Sequence, residues 1–187
     1  MAWMIWFYLA YFILLIVELW LAVRAPGSVT LRAVATLGIP LAISFNGGVG
    51  ALFGVVGAQP GWNSGLYPLL FILGALTSAG GFLLFFAVAV MGEGRDQSSH
   101  LLETLRRALF GLVVLDALFV WSELSIGVYS GIPSHSEVYS SILFGRYWYN
   151  FWLVHVGLAV IAPLILLAAG KGRPARMAVA GLMVAVG

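Results

Sequence analysis

The sequence lacks cysteine and contains few charged residues. With no cysteine among 187 residues, the chain alone cannot form disulfides or hold zinc or an iron–sulfur cluster through thiolates. Charged residues make up 9% of the chain, against about 25% in soluble domains, which excludes an ordinary water-soluble protein and a disordered one. The formal net charge of +2 is too small to indicate nucleic acid as a partner. We also find no P-loop, dinucleotide fingerprint, nucleophile elbow or metal-binding motif.

Apolar residues dominate instead, and they fall into blocks of membrane-spanning length. Hydrophobic residues make up 62% of the chain, and the mean hydropathy is +1.04. A helix needs roughly 20 apolar residues to cross the hydrocarbon core of a bilayer. The blocks predict an all-α fold, a polytopic transmembrane helix bundle that forms a single integral membrane domain over residues 1–187. We expect five full spans and a truncated sixth, at about residues 2–23, 33–58, 66–91, 108–125, 147–169 and 175–187.

Basic residues are concentrated in alternate loops. One set of loops carries eight of the nine basic residues, and the other set carries only Arg146. The eight are Arg24, Arg32, Arg95, Arg106, Arg107, Lys171, Arg173 and Arg176. Loops rich in Lys and Arg stay in the cytoplasm. We therefore expect a multi-pass protein of the bacterial cytoplasmic (inner) membrane with the Met1 end outside.

Four ionisable residues lie within the predicted spans. An ionised group at the bilayer centre costs from about 2.5 to more than about 10 kcal/mol, so each needs a partner, a proton or water. By distance from the loops, Glu123 is nearest the outer face, Asp116 and His155 share the midplane, and Glu18 lies in the inner half. This order predicts a proton relay. The alternative is that each residue is a structural hydrogen-bond or ion-pair partner.

Asn46 lies beside two glycines in the outer third of the second span. Its amide could donate a hydrogen bond to a quinone carbonyl, or it could tie two helices together. Trp62 and Asn63 lie at the same level, and the three together are a candidate quinone pocket. His155 is the one histidine at mid-membrane depth, whereas a haem with two histidine ligands needs a second. We therefore expect no haem held by this chain alone.

Several segments resemble the NrfD family, which includes the membrane subunit of polysulfide reductase. The most specific is Pro60-Gly-Trp-Asn-Ser-Gly-Leu-Tyr-Pro-Leu-Leu-Phe in the second loop and third span. Other similar segments are Met1-Ala-Trp-Met-Ile-Trp-Phe-Tyr, Leu37-Gly-Ile-Pro-Leu-Ala, Gly47-Gly-Val-Gly-Ala-Leu-Phe-Gly, Glu123-Leu-Ser-Ile-Gly-Val-Tyr-Ser-Gly and Leu143-Phe-Gly. The resemblance covers nearly the whole chain. It implies that the family's first two helices and its C-terminal end lie outside this sequence.

The resemblance also implies a function. Members of this family bind menaquinone or ubiquinone beside a ferredoxin-like iron–sulfur subunit and a molybdopterin oxidoreductase subunit, and they exchange electrons between the quinone pool and the clusters. The resulting hypothesis is a quinone-interacting anchor subunit of a respiratory oxidoreductase. Asp116, Glu123, His155 and Glu18 would move protons, and Asn46, Trp62 and Asn63 would contact the quinone. The alternatives are a secondary transporter or ion channel that uses the same carboxylates, and a purely structural membrane anchor.

Overall fold

Helices account for almost all of the structure. The computed structural model describes residues 2–56, 64–91, 96–131, 133–170 and 173–186, and none of these residues is in a strand. The helices are α1 (Ala2–Arg24), α2 (Val29–Gly54), α3 (Tyr67–Met91), α4 (Asp96–Tyr129), α5 (Pro133–Phe144), α6 (Ala162–Ala168) and α7 (Pro174–Val186). A π-helical segment, Asn150–Ile161, leads directly into α6. Within these described ranges, five helical stretches are long and apolar enough to cross a membrane, so the prediction of an all-α transmembrane bundle is confirmed.

The turn between α1 and α2 shows how local sequence ends one helix and starts the next. Gly27 adopts a positive φ of 82°, a conformation that side chains other than glycine rarely adopt. Ser28 then takes an extended conformation, and its hydroxyl accepts a hydrogen bond of 3.1 Å from the Leu31 N–H. This is an N-cap, which satisfies one of the backbone donors left free at the start of a helix.

Helical structure also occurs outside the apolar blocks of the sequence. α4 begins at Asp96, well before the predicted span at 108, because polar residues continue the same helix. Glu103 pairs with Arg106 and Arg107, three and four residues later, which supports helix in this polar stretch. α5 lies within the long loop that follows the fourth predicted span.

The π-helical segment is unusual because it extends over 12 residues. π-Helices mostly occur as single turns, often at functional sites. The wider spacing of backbone hydrogen bonds here changes which side chains share a face of the helix. His155 lies in this segment.

α3 lies at the centre of the bundle and packs against α2, α4 and α7, while α1 packs on α2 at the edge. Two glycines let α3 and α7 cross with their backbones in contact. A Cβ on Gly81 would lie 2.6 Å from the Gly181 carbonyl oxygen, and a Cβ on Gly181 would lie 2.7 Å from the Gly81 carbonyl oxygen. Small residues permit such close approach between membrane helices.

The two ends of the bundle differ in chemistry. We name the end at which α4 begins the Arg106 end, and the end at which α4 finishes the Glu123 end. Between mid-depth and the Arg106 end, buried apolar side chains from α3, α4, α6 and α7 form one cluster: Leu84, Leu102, Leu109, Val113, Leu167, Met177, Ala180 and Val184. Large apolar side chains also cover much of the outer surface; Trp20, Phe86 and Trp121, for example, are each more than half exposed. An exposed apolar surface of this kind suits contact with lipid.

Candidate functional site

A cavity of about 330 Å³ lies between α3, α4, the π-helical segment and α7. Most of its wall is apolar. The side chains that bring polar groups to it are Tyr67, Thr77, Ser78, Asp116 and His155. Apolar pockets of this size with a few polar groups are typical of small-molecule sites.

Asp116 and His155 come from different helical elements and line this same cavity. They lie close enough for the imidazole to interact electrostatically with the carboxylate. The His155 ring also lies against Phe151, with ring centroids 5.8 Å apart and planes inclined by 32°. A carboxylate and an imidazole that face one cavity can exchange a proton with a molecule bound there. The sequence places these two residues at a similar depth, and the structure brings them to one cavity.

Glu123 lies near the C-terminal end of α4, and its side chain is buried, with 7% exposed. The Ser64 hydroxyl donates a hydrogen bond of 2.6 Å to one carboxylate oxygen, and the Tyr139 hydroxyl donates one of 3.0 Å to the other. Ser64 is itself held by the Leu66 N–H, which donates to its hydroxyl oxygen over 3.2 Å. Hydrogen bonds to a charged group are stronger than neutral ones, so this network compensates for burial of the carboxylate.

Tyr139 joins this network from α5. Its ring packs directly against Gly127 of α4, where a Cβ would lie 2.2 Å from ring atoms, so only glycine admits the ring. Burial and the nearby Glu123 carboxylate raise the pKa of Tyr139, which keeps its hydroxyl protonated as a donor. The Tyr139 hydroxyl is also hydrogen-bonded to the hydroxyl of Tyr67.

A second cavity, of about 320 Å³, lies at the Glu123 end and is lined by Ser64, Glu123 and Tyr139. Gly65, Ile126 and Ser130 also line it, and all three are exposed. We name this second cavity the mouth. Tyr67 lines the first cavity and is bonded to Tyr139, which lines the mouth. Polar groups therefore connect the two cavities.

The other predicted site residues lie away from these cavities or outside the described residues. Glu18 is half-buried on α1, near Gly38 of α2. The Asn46 amide donates a 3.0 Å hydrogen bond to the Ala42 carbonyl of its own helix. Trp62 and Asn63 lie outside the described residues. The roles of all four stay predictions.

At the opposite end, Arg106 ties α4 to α6. Its guanidinium donates to both carboxylate oxygens of Glu103, over 2.7 and 2.8 Å, and to the Leu167 carbonyl oxygen near the end of α6. A positive charge at a helix C-terminus is favourable because the last carbonyl groups have no partners within the helix. This contact links α4 to α6 at the Arg106 end of the apolar cluster.

The sequence does not single out Ser64, Tyr67 or Tyr139 as site residues. Ser64 belongs to a Ser-Gly pair typical of a turn, and Tyr139 fits the aromatic residues common at membrane boundaries. Their one signal is position, since Ser64 and Tyr67 lie at the outer end of the third predicted span and Tyr139 lies in the outer loop that follows the fourth. Contact between residues so distant in sequence follows only from the packing of α3, α4 and α5.

The chain is similar to a known protein family and to a known reductase subunit. The family model described as Polysulphide reductase, NrfD matches residues 1–187. A selenate reductase subunit from Mesobacillus selenatarsenatis is 36% identical over 157 residues. The match covers 84% of this chain and 37% of that relative, so the chain spans well under half of the relative's length. No solved structure matches the chain.

Proposed function

The chain belongs to the NrfD polysulphide reductase family, and from this premise we propose that it is the quinone-interacting membrane subunit of a reductase complex. The observation that carries the proposal is the cavity inside the bundle, where Asp116 and His155 face one apolar space. We propose that residues 1–187 act as one integral membrane domain. A relative whose name makes it a subunit of a selenate reductase supports membership of such a complex.

The residues that line the cavity fit a quinone ring. The walls are mostly apolar, as a hydrophobic ring and tail require, and the volume lies in the range of roughly 300–1,000 Å³ common for ligand sites. Tyr67, Ser78 and His155 carry hydroxyl or ring N–H groups that can donate to a carbonyl oxygen. Menaquinone or ubiquinone would supply two-electron, two-proton redox chemistry when bound.

The residues of this chain would position the ring and handle its protons. His155 Nδ1 or Nε2 accepts a proton at the cavity wall, and the Asp116 carboxylate stabilises the imidazolium that forms. Glu123, with its hydrogen bonds from Ser64 and Tyr139, exchanges protons with water at the mouth. Glu18 and Asn46, with Trp62 and Asn63, remain candidates for a longer relay and for further quinone contacts.

We propose that electrons pass between the quinone and a ferredoxin-like iron–sulfur subunit, with a molybdopterin oxidoreductase subunit completing the complex. By the distribution of basic residues, the protein lies in the bacterial inner membrane with the Glu123 end outside. The partner would then dock on the outer face, against the segment that includes α5. The catalytic partner, rather than this chain, would decide which substrate is reduced.

Quinol oxidation by the complete complex tests this function. We expect Asp116→Asn and Glu123→Gln each to lower turnover by at least about tenfold, because positioned acid–base groups typically contribute more than that. Arg107→Gln is the control, since it removes a charge from a side chain that is 69% exposed at the Arg106 end, and it should leave turnover unchanged. Normal turnover in both site variants would refute the proton-handling role.

The two alternatives make different predictions. A secondary transporter would take up a solute together with protons when it is reconstituted without partner subunits. Such uptake would favour a transporter over the quinone-interacting subunit proposed above. A broken second helix would also suit a transporter, whereas α2 is one helix from Val29 to Gly54. A purely structural anchor would retain no quinone on purification. Quinone that is retained by the complex, and lost when Ser78→Phe fills the cavity, would argue against that alternative.

A further inference from the structure

The two cavities raise the question of where protons enter and leave the bundle. The first cavity lies at mid-depth, with Asp116 and His155 on its wall, and the mouth lies at the Glu123 end. Protons that are gained or lost at mid-depth must reach water at one end or the other. The structure offers a polar route toward one end and an apolar barrier toward the other.

The polar route consists of two tyrosines and a glutamate. Tyr67 lines the first cavity and is hydrogen-bonded to Tyr139. Tyr139 donates to Glu123 over 3.0 Å, and Glu123 lines the mouth. Each hydroxyl can accept a proton on its oxygen while it gives up its own, so a chain of such groups can pass a proton along.

The apolar barrier lies on the other side of the first cavity. Val113 and Val184 belong both to the wall of the cavity and to the apolar cluster, so the cluster begins where the cavity ends. Leu84, Leu109 and Leu167 within it are at most 1% exposed. The contact between the backbones at Gly81 and Gly181 leaves no gap between α3 and α7 there. Apolar constrictions of this kind exclude water.

We propose that Tyr67 and Tyr139 conduct protons between the Asp116–His155 cavity and the mouth, and that the cavity exchanges protons with water at the Glu123 end only. This inference rests on the proposed function for the source of the protons, but the connection itself does not require a quinone.

The transfer conserves protons at every step. When a proton leaves the cavity, the Tyr67 oxygen receives it as the original Tyr67 proton moves to the Tyr139 oxygen. The original Tyr139 proton moves at the same time to the Glu123 carboxylate, which becomes a neutral carboxylic acid. Glu123 then releases that proton to water in the mouth, and both tyrosines are left neutral. Uptake follows the same path in reverse.

One experiment measures the connection without turnover. The carbonyl stretch of protonated Asp116, assigned by its loss in Asp116→Asn, shifts when the complete complex is transferred into D2O at low pH. Stopped-flow infrared spectroscopy then gives the exchange rate. We expect Tyr67→Phe and Tyr139→Phe to slow this exchange by at least about tenfold, because each removes one hydroxyl and keeps the ring. Tyr129→Phe is the matched control, since Tyr129 is 88% exposed at the same end.

A second experiment measures which end is used. A membrane-impermeant pH dye reports protons released after a pulse of quinol, in spheroplasts and in inverted membrane vesicles that contain the complete complex. We expect proton release only at the side that bears the Glu123 end. Release at the Arg106 side, or the same exchange rate in the tyrosine variants as in the wild type, would overturn the inference.

The two proposals can fail separately. If quinol is not oxidised but Asp116 exchange still depends on both tyrosines, the proposed function fails and the proton path stands. If quinol is oxidised normally and the Asp116 exchange rate is the same in the tyrosine variants as in the wild type, the proton path fails and the proposed function stands. Circular dichroism melting of each variant shows whether it has folded. Should a tyrosine variant fail to fold, Glu123→Gln replaces it, and an unchanged exchange rate in that variant would refute the path.

Discussion

Removing the Glu123 carboxylate should lower the free energy of unfolding, because the carboxylate is buried and accepts hydrogen bonds from two other segments of the chain. The side chain is 7% exposed and accepts two hydrogen bonds, from Ser64 and from Tyr139. Hydrogen bonds to a charged group are each worth about 1.5–3 kcal/mol. Glu123→Gln keeps the shape and an acceptor oxygen but loses the charge, so we expect a loss of about 1–3 kcal/mol. Glu123→Ala leaves both hydroxyls without their acceptor and opens a void, so we expect about 3–5 kcal/mol.

The free energy of unfolding, measured by circular dichroism in detergent micelles with increasing denaturant, tests these values. A double-mutant cycle with Tyr139→Phe isolates the contact between the two side chains, and we expect a coupling energy of about 1–2 kcal/mol. Glu137→Gln, at an exposed position of α5, should change stability by less than about 0.5 kcal/mol. If Glu123→Ala cost no more than this control, Glu123 would not be held by the network described.

Three further predictions concern other contacts. Gly81→Ala should cost about 1–3 kcal/mol in the same unfolding assay because its Cβ would collide with the α7 backbone, whereas Gly74→Ala, whose Cβ would have no atom of another helix within 4 Å, should cost nothing comparable. Arg106→Met should lower the melting temperature by several degrees through loss of its tie to α6, while Arg107→Met, at a side chain that is 69% exposed, should barely change it. The stability difference between wild type and Tyr139→Phe should stay constant from about pH 7 to about pH 9, because the raised pKa of Tyr139 keeps it protonated there; its contribution is lost only above the ordinary tyrosine pKa near 10. If the stability difference between wild type and Tyr139→Phe became smaller between about pH 7 and about pH 9, Tyr139 would not have a raised pKa.

The spans follow from the sequence because hydrophobic length is a property of the chain alone. Five apolar blocks predict five membrane-spanning helices, and the part of the chain that the structure describes has five helices long and apolar enough to span. The ends of the helices are less predictable, since polar residues can prolong a helix beyond the membrane. α4 begins at Asp96 because the pairs of Glu103 with Arg106 and Arg107 stabilise helix outside the apolar block. The family resemblance drawn from short segments is confirmed over the whole chain.

The π-helical register of Asn150–Ile161 could not be predicted from the sequence. Its residues have the same apolar pattern as an ordinary transmembrane helix, and hydropathy does not distinguish between the two hydrogen-bond spacings. α5 is similarly concealed, because Pro133–Phe144 is short and mixes polar with apolar residues. Its packing against α4 and against the π-helical segment gives these residues a defined position.

The candidate site was partly predictable. Counting residues from the loops places Asp116 and His155 at one depth, and the structure brings them to one cavity. The same counting cannot tell which helices are neighbours. It places Glu18 in the same series, and this role stays a prediction, since α1 packs at the edge of the bundle against α2. It also misses Tyr67 and Tyr139, which meet only because α3, α4 and α5 converge at the Glu123 end.

The proposed function requires that the quinone ring binds in the cavity beside Asp116 and His155. This can be measured by irradiating the complete complex with a photoreactive menaquinone analogue and mapping the labelled peptides by mass spectrometry. We expect label on residues 67–78 of α3 and on the π-helical segment, displaced by excess menaquinone and absent in Ser78→Phe. Label that is displaced by menaquinone but confined to α1 or to the lipid-facing side of α2 would contradict the claim.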